Sequence, residues 1–260
     1  MILKGNVFSQ TLEMDTGISV VMPSQLRLNE EYKVVYLLHG LCGNHETWIQ
    51  YSMIADYARW GNTIYVMPEV ARSFYTDMKY GLRYFTYITE ELPIICKNLF
   101  RISAKRENRG IVGSSMGGYG ALKAAFTKPE QYGMCAAFSS PCLFLKESLE
   151  ELKECEKRQQ FVEQYGEKIL QDFIAAFGED FEWKAENEIL ELAKKMKSCK
   201  EKPAIYITCG KQDSFFEYHI RFKKELENLK IPFTFEAWEA GHTFSFFDES
   251  LKKAIDKFSL

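Results

Sequence analysis

Arg109-Gly110-Ile111-Val112-Gly113-Ser114-Ser115-Met116-Gly117-Gly118-Tyr119-Gly120 is the stretch that decides the fold. A short apolar run leads into Gly-x-Ser-x-Gly, from Gly113 to Gly117, and Ala121-Leu122-Lys123-Ala124-Ala125-Phe126 continues as a helix-forming segment. Strand, sharp turn and helix in that order are the setting of a nucleophile elbow. The serine of such an elbow sits on a strained turn, and a side chain at either flanking position would run into the neighbouring strand or helix. Glycine at both places removes the clash. The turn lifts the Ser115 hydroxyl above the sheet, at a helix N-terminus whose dipole and free N–H groups favour a developing anion. The bare pentapeptide also arises by chance in glycine-rich strand–helix turns without chemistry, so its meaning depends on the rest of the chain.

Working outward, apolar runs alternate with helical periodicity. Lys33 to His39 is unbroken, the mark of a central strand covered on both faces, and ends in the loop His39-Gly40-Leu41-Cys42-Gly43. Further strands are predicted at Thr63–Pro68, Gly110–Gly113, Met134–Phe138, Ala204–Cys209 and Phe233–Trp238. Two β segments precede them, Val7–Leu12 and Ile18–Met22, joined through a turn at Asp15-Thr16-Gly17. Helices are predicted at Trp48–Trp60, at Tyr84–Phe100 with Pro93 as a kink or new start, at Phe215–Lys230 and at the C-terminus. From Cys142 to Lys202 the chain is charged and helical. Phe161, Tyr165, Ile169, Phe173, Phe177, Ile189, Leu192 and Met196 recur there mostly in steps of three and four. This 142–202 segment reads as a helical cap or flank inside a single 1–260 domain. The expected architecture is α/β: a mostly parallel eight-stranded sheet flanked by helices, with the number and order of an α/β-hydrolase fold.

Composition narrows the function classes. Hydrophobic residues make up 46% of the 260, ample for one large core. A net charge of −3 leaves no basic footprint for nucleic acid, and no apolar run is long enough to cross a bilayer. Met1-Ile2-Leu3-Lys4-Gly5-Asn6 carries no leader pattern and reads as the start of the mature fold. The seven cysteines are scattered without a C-x-x-C pair, which argues against a disulfide framework or zinc site and for buried thiols in the cytoplasm.

A serine hydroxyl is a poor nucleophile at neutral pH and needs a base in reach, with a carboxylate to hold that base. In this fold the chain order is Ser, then Asp or Glu, then His. Two histidines follow Ser115. His219 shares its spacing with Phe215, Phe222, Leu226 and Leu229 and belongs to a packed helical stripe. His242 lies next to Gly241 just after the last strand, at the sheet edge where active sites collect, and is the stronger candidate for the base. Asp213 follows the strand 204–209 and stands at the same edge, where it can also cap the next helix. Asp172 and Asp180 lie in the insert and Asp248 follows the histidine, so they rank lower. The oxyanion hole should join the Met116 N–H to a second from the loop at 39–43, where glycines on either side single out Leu41. His39 reads as a brace for that loop. Tyr75, Asp77, Trp183 and Phe244 are candidates for lining the substrate pocket.

With these residues in place the chain resembles the Putative esterase family of α/β-hydrolases, the esterase D group. That group includes tributyrin esterases, S-formylglutathione hydrolases, feruloyl esterases and acetyl xylan esterases. The resemblance rests on Leu37 to His45, on Phe74-Tyr75-Thr76-Asp77 with Tyr80-Gly81, and on Glu90-Glu91-Leu92-Pro93. It continues through Gly113 to Gly120, Gly210-Lys211-Gln212-Asp213 and Gly241-His242. The first three blocks are most similar to bacterial tributyrin esterases acting on short acyl chains. The resemblance implies Ser115, Asp213 and His242 as catalytic triad, Leu41 and Met116 as oxyanion donors, a small ester substrate, no cofactor or metal, and an oligomer in many members. Formylglutathione hydrolases usually carry Gly-Leu-Thr-Cys where this chain has Gly-Leu-Cys-Gly. The expected activity is serine carboxylesterase action on acetyl to butyryl esters, acetylated sugars among them. Feruloyl ester or thioester hydrolysis, acyl transfer, and a non-catalytic binding role stand as alternatives.

Overall fold

The computed structural model describes residues 1–25 and 30–260, and its apolar runs become the strands of one sheet. Among the described residues these are β1 (Ile2–Ser9), β2 (Met14–Val21), β3 (Lys33–Leu38), β4 (Thr63–Pro68), β5 (Arg109–Ser114), β6 (Met134–Phe138), β7 (Ala204–Gly210) and β8 (Thr234–Trp238). Their spatial order is β1-β2-β4-β3-β5-β6-β7-β8. The first two strands are antiparallel to their neighbours, and β4 through β8 all run parallel. Successive side chains of a strand point to opposite faces, and both faces are covered here. Val34, Tyr36, Leu38, Ile111 and Ala137 pack on one side with the helix Met116–Thr127 and much of the insert. Val35, Leu37, Val112, Ala136 and Phe138 pack on the other with Trp48 and the C-terminal helix Phe244–Phe258. Six parallel strands, β3 to β8, therefore send their C-terminal loops to one edge of the sheet.

The helix Met116–Thr127 is buried from Met116 to Phe126, pressed between β5, β6 and the helix Ile189–Lys197. Its small residues permit that approach; at Gly120 a Cβ would stand 2.4 Å from the Tyr75 ring. The insert is helical as expected, with Leu145–Leu152, Cys155–Tyr165, Glu167–Phe177 and Ile189–Lys197 between β6 and β7.

Three local readings change. The N-terminal hairpin turns at Gln10–Glu13, ahead of Asp15-Thr16-Gly17, and those three residues sit inside β2 opposite Phe8, Val7 and Asn6. Gly17 serves packing: the His45 ring crosses the strand there, 2.4 Å from where a Cβ would stand. The turn is held from afar by the Glu91 carboxylate, which accepts from the Ser9 hydroxyl at 2.6 Å and from the Gln10 and Thr11 N–H groups at 2.6 and 3.0 Å. The expected Trp48–Trp60 helix is split into Thr47–Tyr51, Ile54–Tyr57 and a 3₁₀ turn. At the break the Ser52 hydroxyl donates to the Trp48 carbonyl, and the Met53 N–H goes to Asp248 at 2.9 Å. Between Tyr84 and Leu99 a π turn at Tyr87–Glu91 widens the helix just before Pro93, so the residue without an N–H begins a fresh segment.

Hydrogen bonds to an ionised carboxylate contribute about 1.5–3 kcal/mol each when buried and less when partly solvated. Glu91→Ala is expected to destabilise the protein by about 2 kcal/mol in urea unfolding. A loss below about 0.5 kcal/mol would mean that the hairpin is anchored by something else.

Candidate active site

β5 ends at Ser114 and the next helix begins at Met116, which leaves Ser115 alone on the turn with φ 54° and ψ −125°. That left-handed backbone costs a non-glycine residue about 1–3 kcal/mol and persists only when its surroundings over-determine it. They do. A Cβ at Gly113 would stand 2.3 Å from the Gly117 carbonyl oxygen, and one at Gly117 would stand 2.4 Å from that of Leu38. The Ser115 N–H donates to the Phe138 carbonyl at 2.8 Å, tying the turn to β6.

The loops after β7 and β8 bring the other two residues to this turn. They touch directly: the Gln212 N–H donates to the Ala240 carbonyl at 3.0 Å, and a Cβ at Gly210 would be 2.2 Å from that oxygen. The His242 Nε2 lies 3.0 Å from the Ser115 Oγ, and its Nδ1 lies 2.7 Å from the Asp213 Oδ2. A carboxylate at Nδ1 keeps the proton there, which leaves Nε2 to accept from the serine hydroxyl. The Asp213 side chain is fully buried, and its Oδ1 accepts from the Phe215 N–H at 2.9 Å. Burial pushes this carboxyl up, but the hydrogen bonds from His242 and Phe215 outweigh it and hold the group below its ordinary value. Phe215 and Phe247 meet the His242 ring edge-on, with centroids 5.5 and 5.1 Å away.

The loop after β3 folds over Ser115. His39 is buried, its Nε2 accepting from the Val70 N–H at 3.3 Å, so its Nδ1–H donates to the Gly40 carbonyl at 2.8 Å. The Gly43 N–H reaches the same oxygen at 3.0 Å, and the Tyr75 hydroxyl donates to the His39 carbonyl at 3.0 Å. A trans peptide points its N–H opposite to its C=O. Anchoring Gly40 C=O on both sides therefore aims the Leu41 N–H the other way. Leu41 and Met116 line one cavity with Ser115 and His242, and neither N–H donates to a protein acceptor among the described residues.

That cavity holds about 500 Å³. Its floor is Ser115, Met116 and the loop after β6 with Pro141 and Phe144; the insert supplies Leu152, Phe161, Tyr165, Ile169 and Phe173 as walls. The four residues expected to line it lie elsewhere. Tyr75 is wholly buried beneath the loop after β3, against Gly120. Asp77 accepts from the Thr86 N–H and hydroxyl at 2.9 and 2.7 Å and fixes a helix start. Trp183 faces the Lys146 ammonium at 4.4 Å, and Phe244 packs against Trp48 and Tyr51. The true wall residues Phe161, Tyr165, Ile169 and Phe173 carry a helical spacing identical to that of a packing stripe, so periodicity could not separate the two uses.

His219 is the packed residue its spacing implied. Its Nδ1–H donates to the Phe215 carbonyl at 2.9 Å and its Nε2 accepts from the Ser140 N–H at 3.1 Å, which holds the loop after β6. Burial pushes it down to about 4 from the ordinary 6.5. The folded state favours the neutral ring and the unfolded chain the protonated one. Its stabilisation is therefore complete above pH 6.5, declines as pH falls, and is gone below about 4. The span corresponds to about 3 kcal/mol. His219→Gln should flatten the dependence of the urea midpoint on pH across this range, and an unchanged slope would assign the acid lability to other groups. At the elbow, Gly117→Ala should cost about 1–3 kcal/mol and displace Ser115. Undiminished fluorophosphonate labelling of that variant would show that the turn tolerates a side chain.

The sequence profile of the family described as Putative esterase matches residues 9–258. An acetyl esterase of Caldicellulosiruptor saccharolyticus is 26% identical over 265 residues, 98% of this chain and 97% of that one. A substrate-bound fluorophosphonate-binding serine hydrolase of Staphylococcus aureus, FphF, superposes with a TM-score of 0.84 at 26% identity, covering 100% of this chain and 98% of that one. The S-formylglutathione hydrolase FrmB of the same organism gives 0.82 at 26% identity, covering 100% and 99%. A profile match over nearly the whole chain, on an α/β-hydrolase sheet with an elbow at Ser115, places this protein in the Putative esterase family.

Proposed function

We propose that this carboxylic ester hydrolase cleaves short-chain acyl esters, acetyl to butyryl, through an acyl-enzyme on Ser115. The observation that carries the reading is the continuous Ser115–His242–Asp213 hydrogen-bond chain at 3.0 and 2.7 Å. His242 Nε2 takes the hydroxyl proton as Ser115 Oγ attacks the ester carbonyl carbon. Asp213, buried and held ionised, keeps the imidazole in its tautomer and stabilises the imidazolium. Negative charge gathers on the former carbonyl oxygen, where the Leu41 and Met116 N–H groups receive it. Collapse expels the alcohol, which leaves with the proton from His242 Nε2. Water then enters, gives its proton to His242, attacks the acyl carbon, and frees the acid and the Ser115 hydroxyl.

The 142–202 insert acts as the cap that shapes the acyl end of the cavity, within one domain. The acetyl esterase relative supports acetyl as a substrate group. A cavity of about 500 Å³ with Phe144, Phe161 and Phe173 in its walls favours one second reading, a larger or aromatic acyl group such as a hydroxycinnamoyl. The S-formylglutathione hydrolase neighbour keeps a thioester in view. Seven free thiols support a reducing, cytoplasmic location.

The test is hydrolysis of p-nitrophenyl acetate, butyrate and octanoate and of methyl ferulate by wild type and Ser115→Ala. Activity should peak at acetate or butyrate, and Ser115→Ala should lower kcat by about 10⁴-fold or more. Near-normal turnover by that variant would remove Ser115 as nucleophile. Preference for octanoate or ferulate would move the substrate to the larger acyl class.

A further inference from the structure

The loop after β4, Glu69 to Thr76, contains three non-glycine residues in the left-handed region, Ala71, Phe74 and Tyr75, each at φ 50°. Such a concentration of unfavourable backbone needs a compensating function or packing. Several of its contacts converge on the loop after β3. Glu69 accepts from the His45 N–H at 3.2 Å, the Val70 N–H meets His39, and the Tyr75 hydroxyl meets the His39 carbonyl. Phe74 anchors the loop to the insert through Phe173 and Phe177, at 4.8 and 5.8 Å between centroids. The loop after β4 is thus a cradle for the loop after β3.

Arg72 extends this cradle in two directions at once. Its Nε and Nη2 bind the Asp172 Oδ2 at 2.8 and 2.6 Å, while Nη1 donates to the Leu41 carbonyl at 3.4 Å and lies 3.7 Å from the Cys42 Sγ. The Asp172 side chain is 5% exposed, and its second oxygen accepts from Lys168 at 3.1 Å. Asp172 sits on the helix Glu167–Phe177 between Ile169 and Phe173, both of which wall the cavity. A guanidinium presents its N–H groups in a rigid plane, so fixing one edge on a buried carboxylate fixes where the other edge points.

We propose that Arg72 is a positioning residue for ester hydrolysis. Held by Asp172, it fixes the Leu41–Cys42 peptide and so keeps the Leu41 N–H aimed at the oxyanion. This rests on the reading of Leu41 as an oxyanion donor. The Leu41 N–H lies in the plane of the Gly40–Leu41 peptide, so its aim is lost if that peptide rotates or if the Leu41 main chain shifts and carries it along. The preceding peptide is pinned through Gly40 C=O by His39 and Gly43, and Arg72 pins the following one through Leu41 C=O. Glycines at 40 and 43 leave the loop soft without these anchors. The anchor on the Arg72 side comes from the insert, so the wall of the acyl cavity and the oxyanion loop are joined by one side chain.

The test compares wild type, Arg72→Ala, Arg72→Lys and Asp172→Asn in kcat and KM on p-nitrophenyl butyrate. It adds active-site titration by a fluorophosphonate and inhibition by trifluoromethyl propyl ketone, whose adduct on Ser115 places an oxyanion in the hole. Loss of a whole oxyanion donor costs about 10²–10³-fold in kcat, so a loosened donor should cost Arg72→Ala about 10–100-fold. KM should stay within about twofold, and ketone affinity should fall in step with kcat/KM. Arg72→Lys should not restore activity, because an ammonium lacks the rigid plane whose separate nitrogens reach Asp172 on one edge and Leu41 on the other. Unchanged kcat, or a kcat loss with unchanged ketone affinity per titrated site, overturns the proposal. If Arg72→Ala does not fold, Asp172→Asn decides, since it keeps the guanidinium and frees its orientation. Full activity of Ser115→Ala would instead bring down the esterase mechanism itself, whatever the Arg72 variants do.

Discussion

The conformation of one residue, Ser115 at φ 54°, organises the site. The turn it makes is so tight that Gly113 and Gly117 each lack room for a Cβ, and the atoms in the way are main-chain carbonyls. Main chain cannot give as a flexible side chain can. The neighbour at Gly117 is Leu38, the last residue of β3, which leads into His39 and the loop that folds over the serine. The steric fit of the elbow is therefore also the fit that brings the Leu41 loop over it. The strain at Ser115 is sustained by packing of three parallel strands, with Phe138 of β6 accepting the Ser115 N–H.

Parallel topology does the rest. Loops after β3, β4, β5, β6, β7 and β8 emerge at one edge, and each has a distinct duty at a single point. The loops after β7 and β8 deliver a buried carboxylate and an imidazole, the loop after β6 gives the floor of the cavity, and the loop after β4 underpins the loop after β3. Two buried histidines, His39 and His219, hold loop backbone by one ring nitrogen donating and the other accepting. A neutral imidazole suits this task because it offers one donor and one acceptor in fixed geometry.

What was legible in the sequence follows the same physics. Unbroken apolar runs at 33–38, 63–68 and 134–138 announce strands covered on both faces, and their observed limits differ from the expected ones by no more than a residue. That Ser115, Asp213 and His242 meet was legible because each follows a strand, and strand ends share an edge in a parallel sheet. The hairpin turn at 10–13 was not, because Gln10-Thr11-Leu12-Glu13 has no glycine or asparagine and is held by Glu91, far along the chain. Arg72 was silent for a similar reason, as its partners Leu41 and Asp172 lie 31 and 100 residues away.

The cavity wall shows where sequence periodicity ends as a guide. Helix Cys155–Tyr165 has no fully buried residue, yet Phe161 and Tyr165 face the cavity. Phe161 also meets Phe173 with centroids 5.4 Å apart. A stripe that packs on a core and a stripe that encloses an empty volume obey one spacing, since both put apolar side chains on a single helix face. What separates them is whether the opposite surface fills the space. Here the loop after β6, kept in place by His219 beneath Ser140, stops short of the helix and leaves room above Ser115. The volume of the cavity is thus set by the distance between the C-terminal edge of the sheet and the insert above it. The Arg72–Asp172 pair is one of the contacts that tie this insert to the loop after β4.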